Sequence, residues 1–266
     1  MKSMKTCIKI SVIVTFMAMV LVSVLAETLP VNGMTTGQVS NLYPNLFVPA
    51  DYTFSIWPVI YLLLAGYALY QFGFFRKKSE NPHAMLRHEV GVYFCVSSLV
   101  NICWVLVWHY QMIALSLILI VILLACLAEI VQAISKENLT PKETMFLKLP
   151  FDIYTGWISI AAIANITVYL VSLEWDHFRT IESAWTIIVL LTGLVAGLRA
   201  ILKYDHIAFG MIVIWAYLGI LVKHLSKDGF SGSYPRIIGV VAVSLILLFA
   251  AAVRALMDKR KKRCKT

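Results

Sequence analysis

Long apolar stretches follow one another along the chain, and charged or Pro- and Gly-marked breaks separate them. A helix needs about 20 mostly apolar residues to cross the hydrocarbon core of a bilayer. Eight stretches meet this length, and each predicts a membrane-spanning helix. They cover residues 10–27, 52–75, 90–109, 112–134, 149–173, 184–202, 207–225 and 236–257. The pattern therefore predicts an all-α, polytopic transmembrane helix bundle of about eight spans.

The composition narrows the class of protein further. Of the 266 residues, 60% are hydrophobic and 14% are charged, whereas a soluble domain has about 45–50% apolar residues. This excludes a water-soluble fold. Eight spans also leave too little chain for a large extramembrane domain, so we expect the lipid bilayer to be the principal surroundings of the protein.

Basic residues lie mainly on one side of the predicted spans. With the N-terminus inside, 19 of the 23 Lys and Arg residues fall in inner segments. Basic loops remain in the cytoplasm, so we predict cytoplasmic termini and a location in the cell membrane. Residues 259–266 form a basic cytoplasmic tail in this topology. The net charge of +9 therefore reflects orientation, and no nucleic-acid partner is expected.

The first apolar stretch has a second interpretation. Lys2, Lys5 and Lys9 precede an apolar run that ends near Ala26, and this is also the pattern of a secretory signal peptide. We predict a retained span, because the run is long and the motifs described below need a helix before them. Cleavage after Ala26 is left open as the alternative.

The sequence contains no motif of known catalytic or metal-binding spacing. Its six histidines include no i, i+4 pair that would bind a metal from one helix face. There is also no phosphate-cradling glycine loop and no Gly-x-Ser-x-Gly elbow. None of the five cysteines falls in a predicted outer loop, which argues against a disulfide framework. We therefore predict a protein that is not an enzyme and holds no cofactor of its own.

Three spans carry aromatic or amide side chains at helical spacing. At 100° per residue, the members of each set fall within about 60–80° of arc, so they share one helix face. The sets are Phe54, Trp57 and Tyr61 in the second span, Asn101, Trp104 and Trp108 in the third, and Tyr154, Trp157, Ala161 and Asn165 in the fifth.

These faces have two interpretations. Trp and Tyr are common in interfacial belts, and membrane helices use Asn and small residues to pack. However, a buried Asn needs hydrogen-bond partners, and an amide among flat rings suits a flat, mostly apolar guest. The joint composition and spacing of the three faces favour a binding site.

The same residues resemble motifs of the tryptophan-rich sensory protein (TspO/MBR) family, relatives of the mitochondrial translocator protein. The second-helix pattern of that family, Pro-Pro-x-Trp-x-Phe-x-x-Val-Trp-x-x-Leu-Tyr, is similar to residues 49–61, with Tyr52 in place of a Trp. Its third-helix Leu-Asn-x-x-Trp motif resembles residues 100–104. Its fifth-helix motif, Pro-Tyr-x-x-Trp-x-x-x-Ala-x-x-x-Asn, resembles residues 154–165, with Pro150 displaced upstream.

The resemblance implies a division of the chain. It covers about residues 8–175, so residues 1–175 are predicted to form a five-helix bundle like that of the family. Residues 176–258 would then form three additional transmembrane helices ahead of the basic tail.

The resemblance also implies a function. Members of the TspO/MBR family bind porphyrins and other flat hydrophobic ligands within the helix bundle, beneath the loop between the first two helices. We therefore expect a binding or sensing role for a hydrophobic, tetrapyrrole-like small molecule, with porphyrin or heme as ligand. Porphyrin breakdown and a homodimer are left open. The implied ligand-binding residues are Tyr52, Phe54 and Trp57 at the rim, Asn101 and Trp104 on one wall, Trp157, Ala161 and Asn165 on the other, and Tyr61, Trp108 and Tyr154 nearby.

A membrane transporter or permease for a small hydrophobic molecule is the alternative, with the last three spans completing a route. Transport sites usually contain broken helices or charges near the midplane. Pro58 is the proline that would break a span, and no ionisable residue has a clear midplane position. Binding is therefore favoured over transport.

Overall fold

The computed structural model describes residues 2–29, 31–74, 83–174 and 176–263. This part of the chain is mainly helical and contains no strand. The elements in chain order are α1 (Lys2–Thr28), a 3-10 turn (Val31–Gly33), α2 (Thr36–Asn41), a second 3-10 turn (Asp51–Ser55), α3 (Ile56–Phe72), α4 (Ala84–His109), α5 (Ile113–Ser135), α6 (Pro141–Glu143), a π turn (Thr144–Lys148), α7 (Leu149–Ser172), α8 (Asp176–Leu202), α9 (Ile207–Leu225) and α10 (Pro235–Arg263).

Within the described residues, eight helices are long and apolar enough to cross a membrane. They correspond in order to the eight predicted spans and confirm the all-α polytopic fold. The predicted and observed spans differ mainly in where the helices begin. For example, α4 begins at Ala84 rather than at residue 90, and α7 is preceded by helical turns that begin at Pro141. The chain is a multi-pass membrane protein in contact with lipid.

The chain forms two compact units. Unit 1 comprises Met1–Val39 and Ser55–Ile158, and unit 2 comprises Ser40–Phe54 and Ser159–Thr266. The boundaries fall inside α2 after Val39, in the second 3-10 turn after Phe54, and inside α7 after Ile158. The sequence-based division at residue 175 stays a prediction.

In unit 1, α4 packs against α1 and α5, and α1 also packs against α3. Gly91 of α4 lies so close to α1 that an added Cβ would come within 3.0 Å of the Ile8 side chain. Further along the helices, the ring of Tyr67 meets those of Phe94 and Phe151 edge to face, at centroid distances of 5.0 and 4.8 Å. Glycine thus brings two backbones together, and interlocking rings fill the core.

A polar network lies where α4 begins. Thr140 and Glu143 form a capping box, in which Thr140 Oγ1 accepts from Glu143 N and Glu143 Oε2 accepts from Thr140 N. The other carboxylate oxygen of Glu143 lies 2.9 Å from His83 Nδ1 and 3.7 Å from Arg87 Nη1. A buried carboxylate needs such partners. The network therefore ties the start of α4 to α6.

The π turn between α6 and α7 has a local cause. Pro150 is the second residue of α7, and in a regular helix its ring would crowd the carbonyl of Phe146, four residues earlier. The π turn widens the backbone at this point. The Phe146 ring then stacks on Tyr70 at 5.5 Å and lies 3.4 Å from the Cβ position of Gly66, so packing holds the irregular turn in place.

In unit 2, α8, α9 and α10 pack against one another in pairs. Gly193 of α8 contacts the hydroxyl of Tyr217, which donates a hydrogen bond to the Leu190 carbonyl. One turn further on, Gly197 contacts Leu248 of α10. The Gly-x-x-x-Gly spacing, which allows close helix approach in membranes, thus presents one glycine to each neighbouring helix.

Candidate functional site

Trp57 lies at the centre of an aromatic cluster in unit 1. Its ring stacks on Tyr61 at a centroid distance of 5.5 Å and lies 6.5 Å from Trp104. It meets Tyr154 and Trp157 edge to face at 6.4 and 6.2 Å, in the geometry that aromatic pairs prefer. The structure thus brings together five of the predicted site residues, from α3, α4 and α7.

The start of α3 explains the position of Trp57. A 3-10 turn runs directly into the helix at Ile56, and Pro58 is the third residue of α3. The first turn of a helix has no intrahelical acceptor for its N–H groups, so proline costs no hydrogen bond there. Pro58 therefore does not break the second span. Trp57 and Tyr61, at i and i+4, point from the same face.

Asn101 and Trp104 each have a buried polar atom without a hydrogen-bond partner in the described part of the chain. Asn101 is fully buried, and its Nδ2 donates to the Tyr154 hydroxyl at 3.1 Å. Among the described residues, no hydrogen-bond partner reaches Asn101 Oδ1 or the buried indole Nε1 of Trp104. A buried unpaired polar group costs about 1–3 kcal/mol. These two atoms are therefore favourable places for the polar groups of a ligand.

Trp108 contacts Trp104 of the cluster and also forms a hydrogen bond outside it. Its ring stacks on Trp104 at 5.8 Å, but its Nε1 donates to the Thr36 carbonyl at 3.2 Å. Nearby, Asn32 Nδ2 donates to the His109 carbonyl at 3.0 Å. Both bonds attach the segment that follows α1 to the end of α4.

A cavity of about 280 Å³, part of it open to solvent, lies in unit 1. Small-molecule sites usually enclose about 300–1,000 Å³. Because the 280 Å³ includes open solvent, the enclosed part of this cavity is well below that range. Trp57, Tyr61 and Trp104 belong to both the predicted site and the cavity wall. The lining residues are Ser23, Glu27, Thr36, Trp57, Tyr61, Trp104 and Val105.

The sequence analysis missed three polar lining residues, Ser23, Glu27 and Thr36. Glu27 Oε1 accepts a hydrogen bond from Thr36 N at 3.1 Å, which holds the carboxylate at the cavity. Ser23 and Glu27 are spaced i, i+4 near the end of an apolar span, so they share a helix face. That spacing is the signal that would have identified Ser23 and Glu27.

Two predicted rim residues, Tyr52 and Phe54, belong to unit 2. The Tyr52 ring meets Trp215 of α9 edge to face at 5.5 Å. Trp215 Nε1 in turn donates to the Thr53 carbonyl at 3.0 Å. Tyr52 is thus packed against α9, and its predicted role at a ligand rim stays a prediction, as does that of half-buried Phe54.

Residues 46–53, here called the docked segment, are held by α8 and α9. Both backbone groups of Leu46 are engaged, because its N–H donates to Glu182 Oε1 at 2.8 Å and its carbonyl accepts from His224 Nε2 at 3.0 Å. The His224 ring also packs on Phe230 at 4.7 Å. Side chains from two helices therefore fix one residue of the segment.

Gly219 of α9 receives the other end of the docked segment. Its carbonyl accepts a hydrogen bond from Ala50 N at 3.0 Å. The Thr53 side chain contacts Gly219 where a Cβ would stand. Only a glycine allows this approach, so the absence of a side chain at position 219 is a condition for docking.

Ala161 and Asn165 lie in the part of α7 that belongs to unit 2. Asn165 is buried, and nearby Thr167 Oγ1 accepts from Trp185 Nε1 at 3.0 Å. α7 is continuous, so Ala161 and Asn165 follow Trp157 at the four-residue spacing expected for one face. Their contribution to a ligand pocket stays a prediction.

Eight membrane-length helices among the described residues define a polytopic membrane protein, and unit 1 contains an aromatic cluster and a cavity. The sequence matches the TSPO-like protein family over residues 9–254. The chain therefore belongs to the TSPO-like family, which confirms the resemblance seen in the first five spans. The match also includes α8, α9 and most of α10. No curated protein and no solved structure matches the chain.

Proposed function

We propose that this TSPO-like protein binds a flat hydrophobic small molecule at the cavity lined by Trp57, Tyr61 and Trp104. In this proposal it acts as a binding or sensory protein of the cell membrane, with both termini in the cytoplasm. A tetrapyrrole such as a porphyrin is the ligand class that the family resemblance implies. The observation that carries the proposal is the meeting of four aromatic rings around Trp57, in the unit that contains the cavity.

The composition of the site supports this ligand class. Stacked or edge-to-face aromatic pairs contribute about 0.5–1.5 kcal/mol beyond the burial of area, and Trp57 and Tyr61 offer such surfaces at the cavity. Trp104 Nε1 would donate to a ligand oxygen or nitrogen at the cavity. Asn101 is buried outside the cavity lining, so its Oδ1 would accept from a ligand N–H once the rings of the cluster separate. The rings thus supply affinity, and the two polar atoms supply orientation.

The size of the cavity adds a condition. A porphyrin with its side chains is larger than about 280 Å³, so its binding requires the rings of the cluster to separate. Separation changes the surroundings of Trp57, Trp104 and Trp157 at once. Tryptophan fluorescence is therefore a direct readout of binding.

The test is a porphyrin titration of the purified, detergent-solubilised protein, followed by quenching of tryptophan fluorescence. We expect saturable binding at about micromolar concentration or below. Trp57→Ala should weaken it by more than about tenfold, because it removes the ring that contacts four others. Trp157→Ala should weaken it less, and Asn165→Ala tests whether the site extends along α7.

Trp185→Ala is the matched control. Trp185 is also a tryptophan in a span, but it bonds Thr167 in unit 2 and does not line the cavity. We expect its porphyrin affinity to equal that of the unaltered protein. Absence of saturable binding, or the same loss in Trp57→Ala and Trp185→Ala, would contradict the proposal.

A further inference from the structure

Glu27 brings a carboxylate to a cavity that is otherwise rich in aromatic side chains. It lies in the last turn of α1 and lines the cavity together with Trp57 and Tyr61. Its Oε1 accepts the Thr36 N–H at 3.1 Å. Within the described part of the chain, no basic side chain forms an ion pair with it. Glu27 is exposed, so the Thr36 N–H positions its negative charge while solvent also reaches it.

The end of α1 adds to this negative potential. The C-terminus of a helix carries partial negative charge from its unsatisfied carbonyl groups, which basic residues in the last turn often offset. The last turn of α1 contains no basic residue and does contain Glu27. Helix dipole and carboxylate thus have the same sign at this corner of the cavity.

The aromatic walls of the cavity also favour a positively charged ligand. The face of an indole or phenol ring is negative and attracts a cation within about 6 Å of its centroid. Trp57, Tyr61 and Trp104 present such rings at the cavity that Glu27 also lines. A positively charged group would therefore interact favourably with both the carboxylate and the rings.

We infer that this cavity selects a small, flat aromatic molecule that carries a protonated amine or another N–H donor, which pairs with Glu27. The inference rests on the proposed function, because it concerns the ligand of the same cavity. It also predicts that a ligand carboxylate is disfavoured beside Glu27, where it would place a like charge, so the carboxylates of a larger ligand would lie away from this corner.

The test compares two probes of similar shape and opposite charge, 1-(aminomethyl)naphthalene and 1-naphthoate. Binding of each to the full-length protein is measured by calorimetry in nanodiscs of zwitterionic lipid, which adds no net surface charge. We expect the amine to bind about tenfold more tightly than the carboxylate, as for one charge-assisted hydrogen bond.

Glu27→Gln removes the charge and keeps an oxygen that accepts the Thr36 N–H, so the fold around the cavity is preserved. We expect this variant to lose the preference for the amine. Glu174→Gln is the control, because Glu174 is an exposed carboxylate in unit 2 that does not line the cavity. It should keep the preference.

The outcomes separate the inference from the proposed function. Equal binding of both naphthalenes, unchanged in Glu27→Gln, would overturn the charge preference and leave the binding function standing. Binding of porphyrin but of neither naphthalene would also overturn it. If neither the naphthalenes nor porphyrin bind, both the inference and the proposed function are wrong.

Discussion

The cavity region of unit 1 and the docked segment of unit 2 both depend on tryptophan but use it differently. In the cavity region, Trp57 contacts four other rings, and no hydrogen-bond partner among the described residues reaches the buried indole nitrogen of Trp104. In unit 2, Trp215 pairs its indole nitrogen with the Thr53 carbonyl and packs on Tyr52. Tryptophan thus packs among other rings in one region and holds a segment by a hydrogen bond in the other.

The two regions also differ in how closely their elements approach. Ring centroids in the cluster are 5.5 to 6.5 Å apart, and a cavity of about 280 Å³ remains in that unit. At Gly219 the docked segment touches the helix backbone. The family resemblance assigns the cover of a ligand pocket to the loop between the first two spans. In this chain α8 and α9 hold part of that loop, which is a structural role for helices beyond the first five spans.

The largest expected effect concerns Gly219. Gly219→Val would force a side chain into the space of Thr53, and overpacking of this kind costs about 1–3 kcal/mol. We expect the midpoint of thermal unfolding to fall by about 5 °C or more. Gly239→Val is the control, because a Cβ at Gly239 meets no atom within 4 Å. Equal shifts in both variants would show that close docking of the segment does not stabilise the fold.

A smaller effect is expected at Glu182, which accepts the Leu46 N–H. Glu182 is half-buried, so its hydrogen bond is at the low end of the range for charged groups, about 1.5 kcal/mol, and Glu182→Ala should release the docked segment locally. Hydrogen exchange of the Leu46 amide should become at least about tenfold faster. Glu182→Gln should restore most of the protection, since its oxygen still accepts. If Glu174→Ala accelerates the exchange as much, Glu182 does not hold the segment.

The smallest effect is expected inside the aromatic cluster. Asn101 donates to Tyr154, but its Oδ1 is buried without a partner among the described residues. Asn101→Leu removes a hydrogen bond and an unsatisfied acceptor together, so the free energy of unfolding should change by less than about 1 kcal/mol. A double-mutant cycle with Tyr154→Phe should yield a coupling of about 1 kcal/mol. A coupling near zero would mean that the bond does not stabilise the cluster.

Much of the fold could be predicted because it is encoded locally. A membrane helix satisfies its own backbone hydrogen bonds, so each apolar stretch predicts its span without reference to the others. Helical periodicity likewise placed Trp57 with Tyr61 and Tyr154 with Trp157 on shared faces, and these four residues meet in the structure. In the third span, Trp104 joins the cluster, whereas Trp108 donates a hydrogen bond to the segment after α1.

Other parts could not be predicted because they depend on residues far apart in the chain. Leu46 is 136 residues from Glu182 and 178 from His224, and no local pattern connects them. Glu27 looks like an ordinary polar residue at the end of a span until Thr36 and Trp57 are seen to share its cavity. The placement of Ala161 and Asn165 in a pocket stays a prediction, which the titration of Asn165→Ala tests.

The sequence by itself determined the eight spans, the aromatic faces and the resemblance to the TspO/MBR family, because each depends on residues within a few helical turns. Tertiary structure alone decided that α8 and α9 hold the docked segment and that a carboxylate lies at the cavity. Both outcomes depend on how closely two backbones approach, as at Gly219, and that distance is set by all the surrounding side chains together.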